Sequence, residues 1–260
     1  MADTVNQADL APVWFGRSFR SGMKSMFVSV SVLALSVAAG GGALAADGPT
    51  SNCGEPGLGE KTATLIQARY EGIRDIRADF TQENQSASFA GEPLMSSEPK
   101  TGKVSFAKPG KMHWSYVEPE KSIVVSNGAT LWIYDVDGKS VTRLEVTAGF
   151  LSGAALQFLL GDGQILETFD VSATECSADQ VVLDLLPKQD ATYERLGLVA
   201  DRESGDIVGT SVKDLFGNLT VIRFQNLQVN QAPADSVFEL SIPDGVELID
   251  YAAGATGAAE

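Results

Sequence analysis

Residues 102–136 read as four short strands in succession: GKVSFAK (102–108), KMHWSYV (111–117), KSIVVSN (121–127) and TLWIYDV (130–136). Lys108-Pro109-Gly110, Glu118-Pro119-Glu120 and Asn127-Gly128 separate them, the last being a hairpin signal between β-branched and aromatic residues. A twisted antiparallel sheet follows. Side chains alternate between its faces, so Met112, Trp114 and Tyr116 share one face while Trp132 and Tyr134 share another. A sheet with this much large apolar surface must gain a second layer, close into a barrel, or keep part of the surface for a ligand.

Working outward, residues 62–72 are expected to form a helix capped by Thr62 or Thr64, with Leu65, Ile66, Tyr70 and Ile73 on one face. At Ile76 the period changes to two, with Ile76, Ala78 and Phe80 against Arg77, Asp79 and Thr81, and a strand begins. Residues 86–101, with Gly91, Pro93 and Pro99, form a loop. Beyond the aromatic sheet, 140–146 is a further strand. The segment 150–160 differs in kind: Phe150, Ala154 and Phe158 form one row at helical spacing, Leu151, Ala155 and Leu159 a second, Leu156 and Leu160 a third. A helix that is apolar round most of its circumference belongs between layers, across the mouth or inner face of the sheet, and Gly161-Asp162-Gly163 stops it. Strands are then expected at 165–171, 180–186, 195–200, 207–214, 219–229 and 237–240. About eleven or twelve strands result, with two or three short helices on one side.

The first 45 residues resemble an export signal and are set aside from the fold. Arg17, Arg20 and Lys24 form a basic region, 26–39 an apolar run, and Ala43-Leu44-Ala45 a small-x-small cleavage site. A membrane anchor is the alternative, but Gly40, Gly41 and Gly42 interrupt the run. Residues 46–61, rich in Gly and Pro, are expected to be a flexible arm, 62–251 the folded domain, and 252–260 a disordered tail. The full chain carries a net charge of −15; losing Asp3, Asp9, Arg17, Arg20 and Lys24 with the signal leaves 32 acidic and 16 basic residues, a net −16. That balance argues against nucleic acid or an anionic membrane as a direct partner. In an exported chain the two cysteines, Cys53 and Cys176, either form one disulfide or remain two thiols.

No catalytic constellation is present. The single histidine, His113, stands on a strand among neighbours that suggest an exposed polar position, and no G-x-S-x-G motif accompanies it. There is no His pair and no C-x-x-C to hold a metal, and Asp135/Asp137 and Asp162/Glu167 fall in turns where acidic residues are common. Trp114 and Trp132 alone could be an ordinary filled core, and the apolar helix a plug within it. An exported chain without catalytic groups is more naturally a binder than an enzyme.

Residues 76–249 resemble LolA-type periplasmic carriers of outer-membrane lipoproteins. The pieces that carry the resemblance are I-x-x-I-R-A-D-F-T-Q at 73–82, G-K-V-S-F-A-K-P-G-K-M-H-W at 102–114, P-x-x-S-I-V-V-S-N-G-x-x-L-W-I-Y at 119–134, D-x-x-G-N-x-T-x-I-x-F at 214–224 and F-E-L-x-I-P-D-G-V at 238–246. The resemblance implies a mainly β, α+β fold: an unclosed, strongly curved antiparallel β-barrel whose apolar hollow lies under a short helical lid and receives acyl chains. It implies a monomeric periplasmic chaperone that takes acylated lipoproteins from an inner-membrane release complex to an outer-membrane acceptor, with no cofactor. Tyr70, Phe80, Met112, Trp114, Leu156 and Leu159 are then expected to line or border the hollow. In the family an arginine at the start of the R-P-G turn holds the lid closed through backbone carbonyls. Here that position is Lys108, which lacks the planar fork of a guanidinium. A carrier of glycolipid or free lipid, and a module that only senses lipoproteins, are the alternatives.

Overall fold

The computed structural model describes residues 53–87, 98–146 and 164–251. The residues expected to form the export signal, the apolar helix at 150–160 and the tail 252–260 lie outside them. The described residues form one 12-stranded sheet. Its strands are β1 (Asp75–Gln85), β2 (Lys100–Ala107), β3 (Lys111–Glu118), β4 (Ser122–Asn127), β5 (Thr130–Asp135), β6 (Ser140–Glu145), β7 (Phe169–Cys176), β8 (Gln180–Pro187), β9 (Tyr193–Asp201), β10 (Ile207–Asp214), β11 (Leu219–Val229) and β12 (Glu247–Asp250). Their order is β12-β6-β5-β4-β3-β2-β1-β11-β10-β9-β8-β7, so β12 and β7 are free edges and the barrel is unclosed. The expected fold class holds. Every neighbouring pair is antiparallel except β12 with β6, which is parallel.

Two runs of hairpins build the sheet, and β1 joins them. On one side β2 to β6 follow in sequence through the Pro-Gly, Pro and Asn-Gly turns; on the other, β7 to β11 do the same. β1 pairs with β2 through Phe80↔Gly102 and with β11 through Phe80↔Phe224. The alternation read from sequence is the alternation found: Ile76, Ala78, Phe80, Val104, Phe106, Met112 and Trp114 lie on the inner face and are buried, joined by Leu183, Leu185, Leu196 and Leu198 from the far side. Trp132 and Tyr134 lie half-buried on the outer face.

Helix α1 (Leu58–Glu71) packs on the inner side, chiefly against β7 and β8, burying Leu58, Ala63, Ile66 and Tyr70. It begins at Leu58, inside the stretch expected to be a flexible arm, and Thr62 is a buried interior residue instead of a cap. Tertiary packing is the reason. At Gly59 a Cβ would stand 3.1 Å from the Ala173 amide nitrogen, so the glycine lets the first turn lie directly on β7. Cys53 and Cys176 are joined with Cα atoms 5.5 Å apart, which ties the residues leading into α1 to the end of β7.

Three other expectations need correction. Residues 165–168 form a single helical turn, α2 (Ile165–Thr168), so the strand expected from 165 starts at Phe169. The strand expected at 237–240 is absent; a 3₁₀ turn, Asp235–Phe238, stands there, and the last strand is β12, a pairing partner that only the assembled sheet supplies. His113 is half-buried, not exposed, because the chain after β11 turns back over the outer face, where the Val237 carbonyl lies 2.7 Å from its Nδ1. Asp75 sets that reversal by accepting from the Gln231 amide at 2.7 Å and the Ala232 amide at 3.0 Å. Lys111 pairs with Asp235 at 2.8 Å, and Phe238 is fully buried against β3 and β4.

Two outcomes follow. Phe238→Ala is expected to lower unfolding free energy by about 3–5 kcal/mol in urea titration, the cost of an emptied aromatic site; a loss under about 1 kcal/mol would show that the C-terminal segment does not belong to the cooperative core. Reducing Cys53–Cys176 is expected to cost about 2–4 kcal/mol, read as a lower Tm, since the bond closes a loop across a separation of 123 residues. Thiols titrating in the oxidised protein, or an unchanged Tm after reduction, would contradict it.

Candidate functional site

The inner face carries an aromatic cluster centred on Trp114. Phe80 meets Trp114 edge-on at 4.7 Å between ring centroids, and Tyr116 edge-on at 5.0 Å. Phe106 packs edge-on against Trp114 at 5.5 Å, Tyr116 stacks with it at 6.2 Å, and Phe224 approaches to 6.5 Å. Such edge-to-face and offset contacts add to the burial each ring already gains. The register explains the crowding, because positions 106 and 112, 104 and 114, and 102 and 116 are cross-strand partners on β2 and β3. Gly102 makes room. A Cβ there would clash with the Ser115 carbonyl oxygen of β3 and stand 2.9 Å from the Phe80 ring, so no larger residue fits beneath that ring.

The cluster is apolar with a polar border. The Tyr116 hydroxyl donates to Gln82 Oε1 at 3.0 Å, and the Tyr70 hydroxyl accepts from the Ile207 amide at 3.0 Å. Burial raises both phenols to about 12, so each stays neutral and adds no charge to the inner face. Among the described residues no group of His, Cys, Asp and Glu is placed to hold a metal ion.

Lys108, at the turn after β2, fastens α1 to the sheet. Its Nζ donates to the Tyr70 carbonyl at 2.7 Å and its amide to the Arg74 carbonyl at 2.8 Å. Tyr70 lies in the last turn of α1, where the helix end presents partial negative charge and a cation is favoured; its carbonyl also accepts from the Ile73 amide at 3.3 Å. Along the same helix Arg69 pairs with Asp206 at 2.7 Å, so α1 is also tied to the β9–β10 turn.

Phe80, Met112 and Trp114 are therefore brought together on the inner face. Tyr70 is buried in the same core, with its hydroxyl engaged at β10. Leu156 and Leu159 lie outside the described residues. Tyr116, Phe106 and Phe224 belong to the cluster although none was singled out as a site residue. The alternation on β3 already put Tyr116 beside Trp114 and could have found it. Nothing local marks Phe224, whose place beside Phe80 depends on the pairing of β1 with β11.

A family model described as "Outer membrane lipoprotein carrier protein LolA" matches residues 71–241, a span that runs from the end of α1 through all of β1 to β11. The chain is similar to proteins named outer-membrane lipoprotein carrier protein in several bacteria. That of Cupriavidus pinatubonensis is 28% identical over 186 residues, covering 71% of this chain and 85% of the relative. That of Methylococcus capsulatus is 29% identical over 201 residues, covering 75% and 92%, and that of Chromobacterium violaceum 30% identical over 187 residues, covering 71% and 85%. With that match laid over the open sheet, its aromatic inner face and the helix fastened by Lys108, the chain belongs to the LolA family.

Proposed function

We propose that this chain is a periplasmic chaperone that shields the acyl chains of lipoproteins leaving the inner membrane and delivers them to an outer-membrane acceptor. The observation that carries this reading is the inner face itself: a continuous apolar and aromatic surface on a barrel left open between β7 and β12, with α1 packed chiefly on β7 and β8. An acyl chain gains roughly 0.8 kcal/mol for each methylene it buries on such a surface. Adaptable apolar contact suits a cargo recognised by its lipid instead of its sequence. The names of the relatives support the same cargo. No cofactor is needed, since cargo moves down the difference in affinity between carrier and acceptor.

In this reading Tyr70, Phe80, Met112, Trp114, Leu156 and Leu159 contact the acyl chains, and Lys108 is the latch that stabilises the closed, empty state. Mass spectrometry of material co-purified from the periplasm tests the cargo. Intact acylated lipoproteins support the proposal; free lipid or glycolipid alone would overturn it.

Leu159→Glu is expected to abolish release of lipoproteins from spheroplasts into soluble complexes while the protein remains folded, because the carboxylate would face apolar surface. Unchanged release would remove Leu159 from the binding face. Lys108→Leu is expected to leave loading intact but slow transfer to outer-membrane vesicles about tenfold, the effect of one charge-assisted hydrogen bond lost from the empty state alone. Lys108→Arg, which offers more donors, should close the lid at least as firmly and preserve transfer. Transfer by Lys108→Leu at the unmodified rate would show that another group closes the lid.

A further inference from the structure

Helix α1 has no free end. Only residues 72–74 separate its last residue, Glu71, from β1, so that end cannot travel more than about 14 Å from the strand. At the other end the Cys53–Cys176 bond joins the residues before Leu58 to the end of β7. Between these two covalent anchors the contacts go to one half of the sheet. Arg69 pairs with Asp206 at 2.7 Å, the Tyr70 hydroxyl accepts from the Ile207 amide at 3.0 Å, Gln67 Oε1 accepts from the Ile165 amide at 3.3 Å, and Glu55, just before the helix, reaches Arg202 at 3.7 Å. A Cβ at Gly205 would stand 2.9 Å from the Leu65 side chain, so the β9–β10 turn also lies directly on the helix. Among the described residues a single side-chain hydrogen bond reaches α1 from the β2–β6 half, Lys108 Nζ to the Tyr70 carbonyl at 2.7 Å.

The join between the two halves is where the sheet bends. β1 is irregular against β11 between Arg77 and Asp79, and β2 against β3 between Thr101 and Gly102; bulges of this kind concentrate bending and twist. Phe80 and Phe224 lie at this join, so the ring cluster sits at the pivot, where displacement is smallest. On the outer face the chain beyond Asn230 crosses from Asp75 to β3 and β4, which keeps the halves together behind the opening. The far side of the β2–β6 half, with β12 on β6, ends in a free edge. A cover that lifts needs one end that can leave the sheet, and α1 has neither. The half that faces it is tied to it by one hydrogen bond and has room to move once that bond breaks.

We infer that α1 is a fixed wall and that opening occurs on the opposite side: the β2–β6 half, carrying β12, swings away from α1 about β1, and the Cys53–Cys176 bond confines the movement to that side. Lys108 then latches one half of the sheet to the other through a helix that does not itself move. That the movement admits cargo rests on the carrier reading; the movement itself belongs to the empty chain.

Hydrogen exchange read by mass spectrometry on the purified, empty chain needs no substitution and no cargo, so failure here is separable from failure of the carrier reading. With the disulfide intact, amides of residues 62–70 in α1 are expected to exchange as slowly as those of β8 and β9 and more slowly than those of β5 and β6. Reduction with a phosphine should speed exchange in α1 at least about tenfold and leave β5 and β6 unchanged. Spin labels on ketone-bearing residues at the exposed positions 68, 137 and 190 then report distances while the cysteines stay paired. In oxidised Lys108→Leu protein the distance from α1 to the β5–β6 turn, 68 to 137, is expected to lengthen and broaden, while that from α1 to the β8–β9 turn, 68 to 190, holds. Faster exchange in α1 than in β5 and β6 of the oxidised protein, exchange in α1 indifferent to reduction, a longer 68–190 distance or an unchanged 68–137 distance would each overturn the inference.

Discussion

The pairing of β1 with β11 is the constraint on which the structure depends. Each half of the sheet is a run of hairpins that could form locally, but neither half has a complete inner face. Phe80 completes both: its backbone neighbours Gly102 on one side and Phe224 on the other, and its ring lies across Gly102 against Trp114 and Tyr116. Losing that register would separate the two halves and open the cluster. A one-residue slip of β1 would be as damaging, because it would turn Ile76, Ala78 and Phe80 to the outer face and bring Arg77 and Asp79 among the aromatic rings.

Closure is the step this sheet omits. Edges at β7 and β12 are left where a closed barrel would have none, and each is managed differently. β7 is covered by α1 and held by the cysteine pair, while β12 is short, joins β6 in parallel and is fixed by the Arg143–Asp250 ion pair. The opening leaves one seam of the sheet unpaired, and the helix packed beside it is held at its C-terminal end by Lys108 and by the Arg69–Asp206 ion pair. The geometry that serves a carrier is therefore a sheet large enough to curve and too short by one pairing to close.

The sequence displayed the local half of this design well. Alternation at Met112, Trp114 and Tyr116, the Asn127-Gly128 turn and the run from 102 to 136 are consequences of neighbouring residues, and strands β2 to β5 appear where the pattern puts them. What the pattern missed was decided by distant partners. Thr62 looks like a helix cap until Gly59 is seen lying on β7; His113 looks exposed until the chain beyond Asn230 returns across it; residues 247–250 look featureless until β6 offers an edge. The site divides in the same way. Phe80, Met112 and Trp114 were legible from alternation, whereas Phe224 becomes their neighbour only through a pairing between strands at opposite ends of the domain. Lys108 was legible only as a departure from the family arginine, and its partner carbonyl at Tyr70 emerges from how α1 ends.

The central claim is that acyl chains lie against the aromatic inner face. It is tested most directly by placing a photoactivatable phenylalanine analogue at position 114, irradiating cells and identifying the adducts by mass spectrometry. The account predicts adducts on the acyl chains of lipoproteins from position 114, and none from a control at Tyr134 on the outer face. Acyl adducts from both positions alike, or from Tyr134 alone, would contradict it.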